Sequence, residues 1–277
     1  MLITSRSNSL ARQVRGLRHP KERHSSGLFL IEGIRHVGEA VEAAKTGLKY
    51  IQLEFICYSP GLLTSEFANQ LIQDQIALGT PCHSFSNEVF ASLADKENPQ
   101  GILAVARQNK ADLSTIQPGD FPWLVALVAP QDPGNIGTIL RTIDAVGASG
   151  LLLLDNSADP YHLSSVRASM GALFWHPVIR ASFDEFAVWV KSHRYSVYGT
   201  SAHASMDYRL VNHYFRPLVL LMGSEKEGLS AGQAAVCQQM IRLPMQGRAS
   251  SLNLAVATGI MLYEIYKKVT AFDKMSS

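Results

Sequence analysis

No two of the 20 glycines in this 277-residue chain are spaced G-x-G, so the turn that cradles a dinucleotide is absent. G-x-x-x-x-G-K-[ST] and H-E-x-x-H are missing too, which excludes a P-loop and a helical zinc protease site. The nine histidines form no metal-spaced cluster, and there is no Asp/Asn-rich calcium loop. Cysteine is scarce: Cys57, Cys82 and Cys237 are odd in number, far apart and without a C-x-x-C, so no zinc or redox signature exists. No apolar run reaches bilayer length, and M-L-I-T-S-R-S-N-S-L lacks a signal peptide's apolar core. The expectation is a protein of the reducing cytoplasm, with no membrane partner and no metal.

The hydrophobic fraction of 47% is enough for substantial cores, and the length suits one large or two medium domains. A net charge of +2 conceals an uneven distribution. Residues 1–35 carry Arg6, Arg12, Arg15, Arg18, Lys21, Arg23 and Arg35 against Glu22 and Glu32, seven minus two, a local excess of five positive charges. Such a cluster suits a phosphate backbone, and it equally suits a solvated helix face.

Residues 1–107 alternate short strands and helices, as a small α/β layer domain does. Residues 108–121, polar and containing Pro118 and Gly119, read as a linker. From Pro122 the alternation sharpens. Leu124–Ala129 is a continuous apolar run, the pattern of a strand buried on both faces, Leu151–Asp155 reads as a second buried strand, and Tyr195–Thr200, Leu218–Met222 and Ile241–Leu243 read as further strands. Between them lie expected helices at Ile136–Val146, Ser164–Leu173, Phe183–Lys191 and Ser230–Met240, with a last one at Ser251–Lys268.

Three segments set polar residues and glycines directly after such runs, at the edge where open α/β sheets bind ligands. They are N-I-G-T-I-L-R from Asn135, M-G-S-E-K-E-G-L-S from Met222, and P-M-Q-G-R-A-S-S-L-N from Pro244. Gly223, Gly228 and Gly247 would let backbone approach a ligand closely, and freed amides and carbonyls could bind an adenosine-like group. Each residue also has an ordinary reading. Asn135 and Ser251 could be helix caps, Arg141 an exposed helix residue, Glu225 a first-turn charge and Gly247 a turn glycine.

In combination the three segments resemble the SpoU-type (TrmH-like) RNA ribose 2′-O-methyltransferases of the SPOUT superfamily. N-x-G-x-x-x-R is matched by Asn135, Gly137 and Arg141. The second motif is matched by Gly223, Glu225, Gly228 and Leu229, and the third by Pro244, Met245, Gly247, Ser251, Leu252 and Asn253. Val166–Ala172 is similar to the family's middle segment, and the resemblance spans about residues 122–268. Lys226 stands where glycine is frequent and Leu243 where isoleucine is usual. Lys21–Ala40 resembles the L30e-like substrate-binding domain of ribosomal-RNA members.

The resemblance implies an α/β protein of two parts. One is a small N-terminal L30e-like α/β substrate-binding domain over 1–107, and the other a SPOUT α/β methyltransferase domain over 122–277 with a deep trefoil knot. It implies S-adenosylmethionine held at Gly223, Leu243 and Leu252, with Met222, Ser224, Gly228, Met245 and Gly247 around them. It implies catalytic work by Arg141, as base or as a phosphate-binding group, supported by Asn135, Glu225, Ser251 and Asn253. It further implies a homodimer through the C-terminal domain. The basic residues Arg12, Arg15, Arg18 and Arg23 would contact RNA, ribosomal RNA before transfer RNA because compact transfer-RNA members typically lack the extra domain. The competing readings are a transfer-RNA methyltransferase and a non-catalytic RNA-binding or ribosome-assembly factor of the same fold.

Overall fold

The computed structural model describes residues 1–47, 50–109 and 111–275. Its strands are β1 (Leu2–Ile3), β2 (Leu28–Glu32), β3 (Gln52–Tyr58), β4 (Cys82–Phe85), β5 (Ile102–Arg107), β6 (Trp123–Val128), β7 (Gly150–Leu154), β8 (Val178–Ala181), β9 (Ser196–Thr200), β10 (Met206–Asp207), β11 (Leu218–Met222) and β12 (Gln239–Arg242). The helices are α1 (Ser9–Gly16), α2 (Pro20–Ser26), α3 (Ile34–Lys45), α4 (Glu66–Ala77), α5 (Asn87–Leu93), α6 (Pro133–Val146), α7 (Leu163–Ala168), α8 (Ala172–Trp175), α9 (Phe183–Ser192), α10 (Ala231–Ala234) and α11 (Leu254–Met275).

The chain forms two compact units. The first comprises Met1–Asn109 and Tyr161–Trp175. Its sheet runs β1-β4-β3-β5-β2, with β5 antiparallel to both neighbours. Ala11 and Val14 of α1, Phe90 of α5 and Leu30, Phe55 and Val105 of the sheet share one core. Asn8 starts α1 by accepting the Leu10 amide at 2.9 Å, which satisfies an orphan donor of the first turn.

The second unit comprises Lys110–Pro160 and His176–Ser277. Its seven strands are all parallel, in the order β10-β12-β9-β11-β6-β7-β8. The central strands β6, β7 and β11 are buried along their whole length, as parallel strands covered on both faces must be. On one face Leu124, Ala126, Leu152, Val219 and Leu221 pack against Phe186 and Trp189 of α9. Because every strand runs the same way, the loops after β6, β9, β11 and β12 emerge at one edge of the sheet.

Several boundaries differ from the sequence expectation. Tyr161–Trp175, expected within the C-terminal domain, packs in the first unit. Tyr161 lies 4.7 Å from the Phe29 ring, Leu163 joins the first core, and Arg167 donates to Asp95 at 2.8 Å. The helix expected over Ser164–Leu173 breaks where Met170 and Gly171 take φ of 53° and 104°, left-handed values that interrupt a helix. Residues 108–121 are not a bare linker. Ile116 is buried in the second core, with Leu113 and Phe121 packed against it, so burial of these apolar side chains draws the segment in. The helix expected over Ser230–Met240 stops at Ala234, because Gln239–Arg242 is taken up as a strand beside β9. The last helix starts at Leu254 and continues to Met275, so Lys267 and Lys268 are interior to it.

Candidate active site

Strand β11 delivers Met222 and Gly223 to the sheet edge. The loop then closes on itself: the Ser224 amide donates to the Gly228 carbonyl at 3.1 Å and the Gly228 amide to Ser224 at 3.0 Å. Gly228 has φ of 67°, a left-handed conformation suited to glycine. A Cβ on Gly223 would lie 2.2 Å from the Gly228 carbonyl carbon and 2.5 Å from the Leu229 amide nitrogen. No side chain fits there.

Helix α6 begins three residues earlier than expected. Asp132 caps it, accepting the Gly134 amide at 2.7 Å, and Pro133 occupies the first turn, where its missing amide costs nothing. Asn135 is therefore not the cap, and its side chain is released for other work. Its Nδ2 donates to Glu225 Oε1 at 3.0 Å, and its Oδ1 accepts from Asn253 Nδ2 at 3.0 Å. Asn253, rather than Ser251, caps α11, with Oδ1 accepting the Ala255 amide at 2.9 Å and the Val256 amide at 3.3 Å. The other Glu225 oxygen accepts the Gln131 amide at 3.1 Å.

This relay has a single consistent direction. A carboxylate only accepts, so Asn135 must turn its NH2 to Glu225. Asn135 then offers oxygen to Asn253, which must turn its own oxygen to the helix amides. Three residues 90 and 118 positions apart in sequence are thus held in fixed orientation.

Beside the relay lies a cavity of about 350 Å³, within the ~300–1,000 Å³ range of small-molecule sites. Seven of the eight expected cofactor residues line it: Met222, Gly223, Ser224, Gly228, Leu243, Met245 and Leu252. Gly247 does not; it sits exposed in the loop after β12. Glu225 and Ser251 also reach the cavity. Thr200, Ser201, Ala202 and His203, after β9, line it as well and were missed from sequence. The signal that could have found them is strand β9, whose C-terminal end opens at the same sheet edge. The lining mixes apolar Met222, Leu243 and Leu252 with loop backbone, a donor set that fits a nucleoside carrying an uncharged base and a sulfonium tail. Behind β9, burial pushes the Cys237 thiol up to about 11, so it stays protonated and inert at neutral pH.

Arg141 is exposed on α6, and its side chain makes no hydrogen bond or ion pair with the other described residues. Among the four expected RNA contacts, Arg12 is exposed and Arg15 and Arg18 are half-buried. Arg23 requires correction. It is 2% exposed, and its Nη1 donates to the Leu17 and Arg18 carbonyls at 3.0 and 2.8 Å. Those carbonyls close the turn between α1 and α2, and holding them draws the guanidinium inward.

Residues 122–263 match the SpoU rRNA Methylase family, and residues 8–104 match the MRM3-like substrate binding domain. A Streptomyces viridochromogenes protein named 23S rRNA (uridine(2479)-2'-O)-methyltransferase is 32% identical over 96% of this chain and 92% of its own length. The Bacillus subtilis 23S rRNA (guanosine(2553)-2'-O)-methyltransferase RlmP is 29% identical over 95% of this chain and 98% of its own. The AdoMet-bound rRNA methyltransferase from Sinorhizobium meliloti superposes with a TM-score of 0.85 at 34% identity, covering 96% of this chain and 97% of that one. With a family model spanning half its length and relatives matching it nearly end to end, the chain belongs to the SpoU rRNA methylase family.

Proposed function

We propose that this protein is an S-adenosylmethionine-dependent methyltransferase acting on a ribose 2′-hydroxyl of ribosomal RNA. The observation that carries the reading is the Asn253–Asn135–Glu225 relay at the rim of a nucleoside-sized cavity, in a chain of this family. When bound, S-adenosylmethionine supplies an electrophilic methyl group on its sulfonium. Gly223, Ser224 and Gly228 hold the cofactor mainly through backbone, with Leu243, Met245 and Leu252 against its apolar parts.

A ribose hydroxyl is a weak nucleophile, so its placement supplies much of the rate. Asn135, Glu225 and Asn253 keep the three loops in register, and Ser251 faces the target nucleotide from the cavity edge. Arg141 binds the phosphate beside the target ribose and orients the hydroxyl. A guanidinium stays protonated, and its planar fork suits phosphate oxygens. The first unit serves as the RNA-binding domain, with Arg12, Arg15 and Arg18 on the backbone, so affinity falls with salt.

The protein acts as a homodimer through the second unit. Helix α11 buries Leu254, Met261, Leu262 and Ile265 yet exposes Val256, Ile260, Tyr263 and Tyr266, and a helix apolar on two faces needs a second cover. The C-terminal segment is threaded as a trefoil knot; the self-packed loop after β11 and the return of α11 onto α6 support this. Its place of work is the cytoplasm.

The test is incubation with tritium-labelled S-adenosylmethionine and separate pools of unmodified ribosomal and transfer RNA, followed by alkaline hydrolysis. A 2′-O-methyl group blocks cleavage at its own linkage. Label in an alkali-resistant dinucleotide from ribosomal RNA is the expected result. Label only in transfer RNA overturns the substrate, and no label despite cofactor binding overturns the catalytic reading.

A further inference from the structure

One residue outside the three motifs holds three of the site's loops together. Gln131 lies in the loop between β6 and α6. Its side-chain Nε2 donates to the Ala129 carbonyl at 2.8 Å and the Asn156 carbonyl at 3.1 Å. An amide NH2 has two hydrogens, and both are used. Ala129 follows β6 and Asn156 follows β7. Meanwhile the Gln131 backbone amide donates to Glu225 Oε2 in the loop after β11.

The backbone it spans is under strain. Ala129 has φ of 46°, a left-handed conformation that costs a residue with a Cβ. Something must hold it there. The Ala129 amide is tied to the Leu154 carbonyl at 2.9 Å and the Ala158 amide to the Pro130 carbonyl at 2.7 Å. The Gln131 side chain adds two further ties to this turn.

We infer that Gln131 is a positioning residue for methyl transfer: its side chain fixes the turn after β6 so that its own amide grips Glu225 and aligns the Asn135–Asn253 relay. It does not line the cavity, so it sets rate rather than cofactor affinity. The inference rests on the methyltransferase reading, and part of its test is independent of that reading.

The chemistry demanded at this position is donation to two carbonyl oxygens. Glutamate has the same shape and cannot donate when ionised; it would set a carboxylate against two carbonyls. Lysine has donors and a similar reach. Three variants, Gln131→Ala, Gln131→Glu and Gln131→Lys, therefore separate shape from donor capacity. The expected result is a fall in kcat of about tenfold or more for Q131A and Q131E, with KM for S-adenosylmethionine within about threefold of the parent, and recovery in Q131K. Relative to the parent protein, Q131E recovers part of its rate as pH falls to the ordinary glutamate pKa of ~4.3 and below, where a protonated carboxyl donates one hydrogen bond. A purely structural role would not produce that pH dependence.

The independent arm uses no RNA. Hydrogen–deuterium exchange by mass spectrometry should show faster uptake over 129–136 and 224–227 in Q131A and Q131E, with the melting temperature within about 3 °C of the parent. Calorimetric titration with S-adenosylhomocysteine should give an unchanged Kd. Unchanged exchange in both loops overturns the clamp whatever the catalytic result. Loosened loops with full kcat overturn the positioning role. A parent protein that binds cofactor and methylates no RNA overturns the methyltransferase reading and leaves the exchange result standing by itself.

Discussion

Replacing Gly223 with alanine tests the loop that closes the cavity, and the structure sets the magnitude. The added Cβ would meet the Gly228 carbonyl carbon at 2.2 Å, the Leu229 nitrogen at 2.5 Å and the Gly228 oxygen at 2.6 Å, where ordinary contact begins near 3.4 Å. All three neighbours are backbone, so no rotamer change relieves the clash. The loop must move by more than about an ångström, and the paired Ser224–Gly228 bonds at 3.1 and 3.0 Å cannot both survive. One lost hydrogen bond at about 1 kcal/mol, with overpacking of roughly 1–3 kcal/mol, gives about 2–4 kcal/mol. If the closed loop is the form that binds, this cost appears in affinity as a roughly thirty- to thousandfold rise in Kd. Isothermal titration with S-adenosylmethionine reads it directly. Gly247→Ala is the matched control, since nothing lies within 4 Å of its Cβ position; its Kd should stay within about twofold. Equal binding by Gly223→Ala and the parent would refute the assignment of this cavity to the cofactor.

Asn253→Asp keeps an oxygen for the Ala255 and Val256 amides and loses the donor to Asn135, so the melting temperature should hold while kcat falls about tenfold. Arg23→Ala should cost about 2–4 kcal/mol by stranding two backbone carbonyls, seen as a melting point lower by about 5–10 °C. Arg12→Ala should leave the melt unchanged and reduce the salt slope of RNA binding by about one. The Arg167 hydrogen bond holds the Asp95 carboxyl below its ordinary value, so that pair stabilises the fold above the unfolded Asp pKa of ~3.9 and the contribution disappears as pH falls through the lower folded value. Thermal melts from pH 2 to 6 should therefore show a shallower acid loss in Arg167→Met than in the parent.

Strand positions in the second unit were legible because parallel strands buried on both faces must be continuously apolar, and L-V-L-L-M at 218–222 can hardly be anything else. The helix expected over Ser230–Met240 was misread for a related reason. Its residues have adequate helix propensity, and only pairing beside β9 turns Gln239–Arg242 into a strand. Local pattern carries no information about which neighbour is available. Gly223 and Gly228 were readable as close-approach positions, whereas Gly247, in the third motif, carried the same expectation without reaching the cavity.

By itself, then, the amino-acid sequence determined the α/β class, the sheet edge that carries the site, and the residue types gathered there. Hydrophobic period and glycine placement are local properties, and they survive without knowledge of the fold. Tertiary structure alone decided that Asn135, Glu225 and Asn253 form one directed relay, that Gln131 braces it, that Arg23 turns inward, and that Tyr161–Trp175 packs in the first unit. Each of these depends on groups far apart in the chain meeting at hydrogen-bonding or van der Waals distance, and only the packed backbone sets such distances.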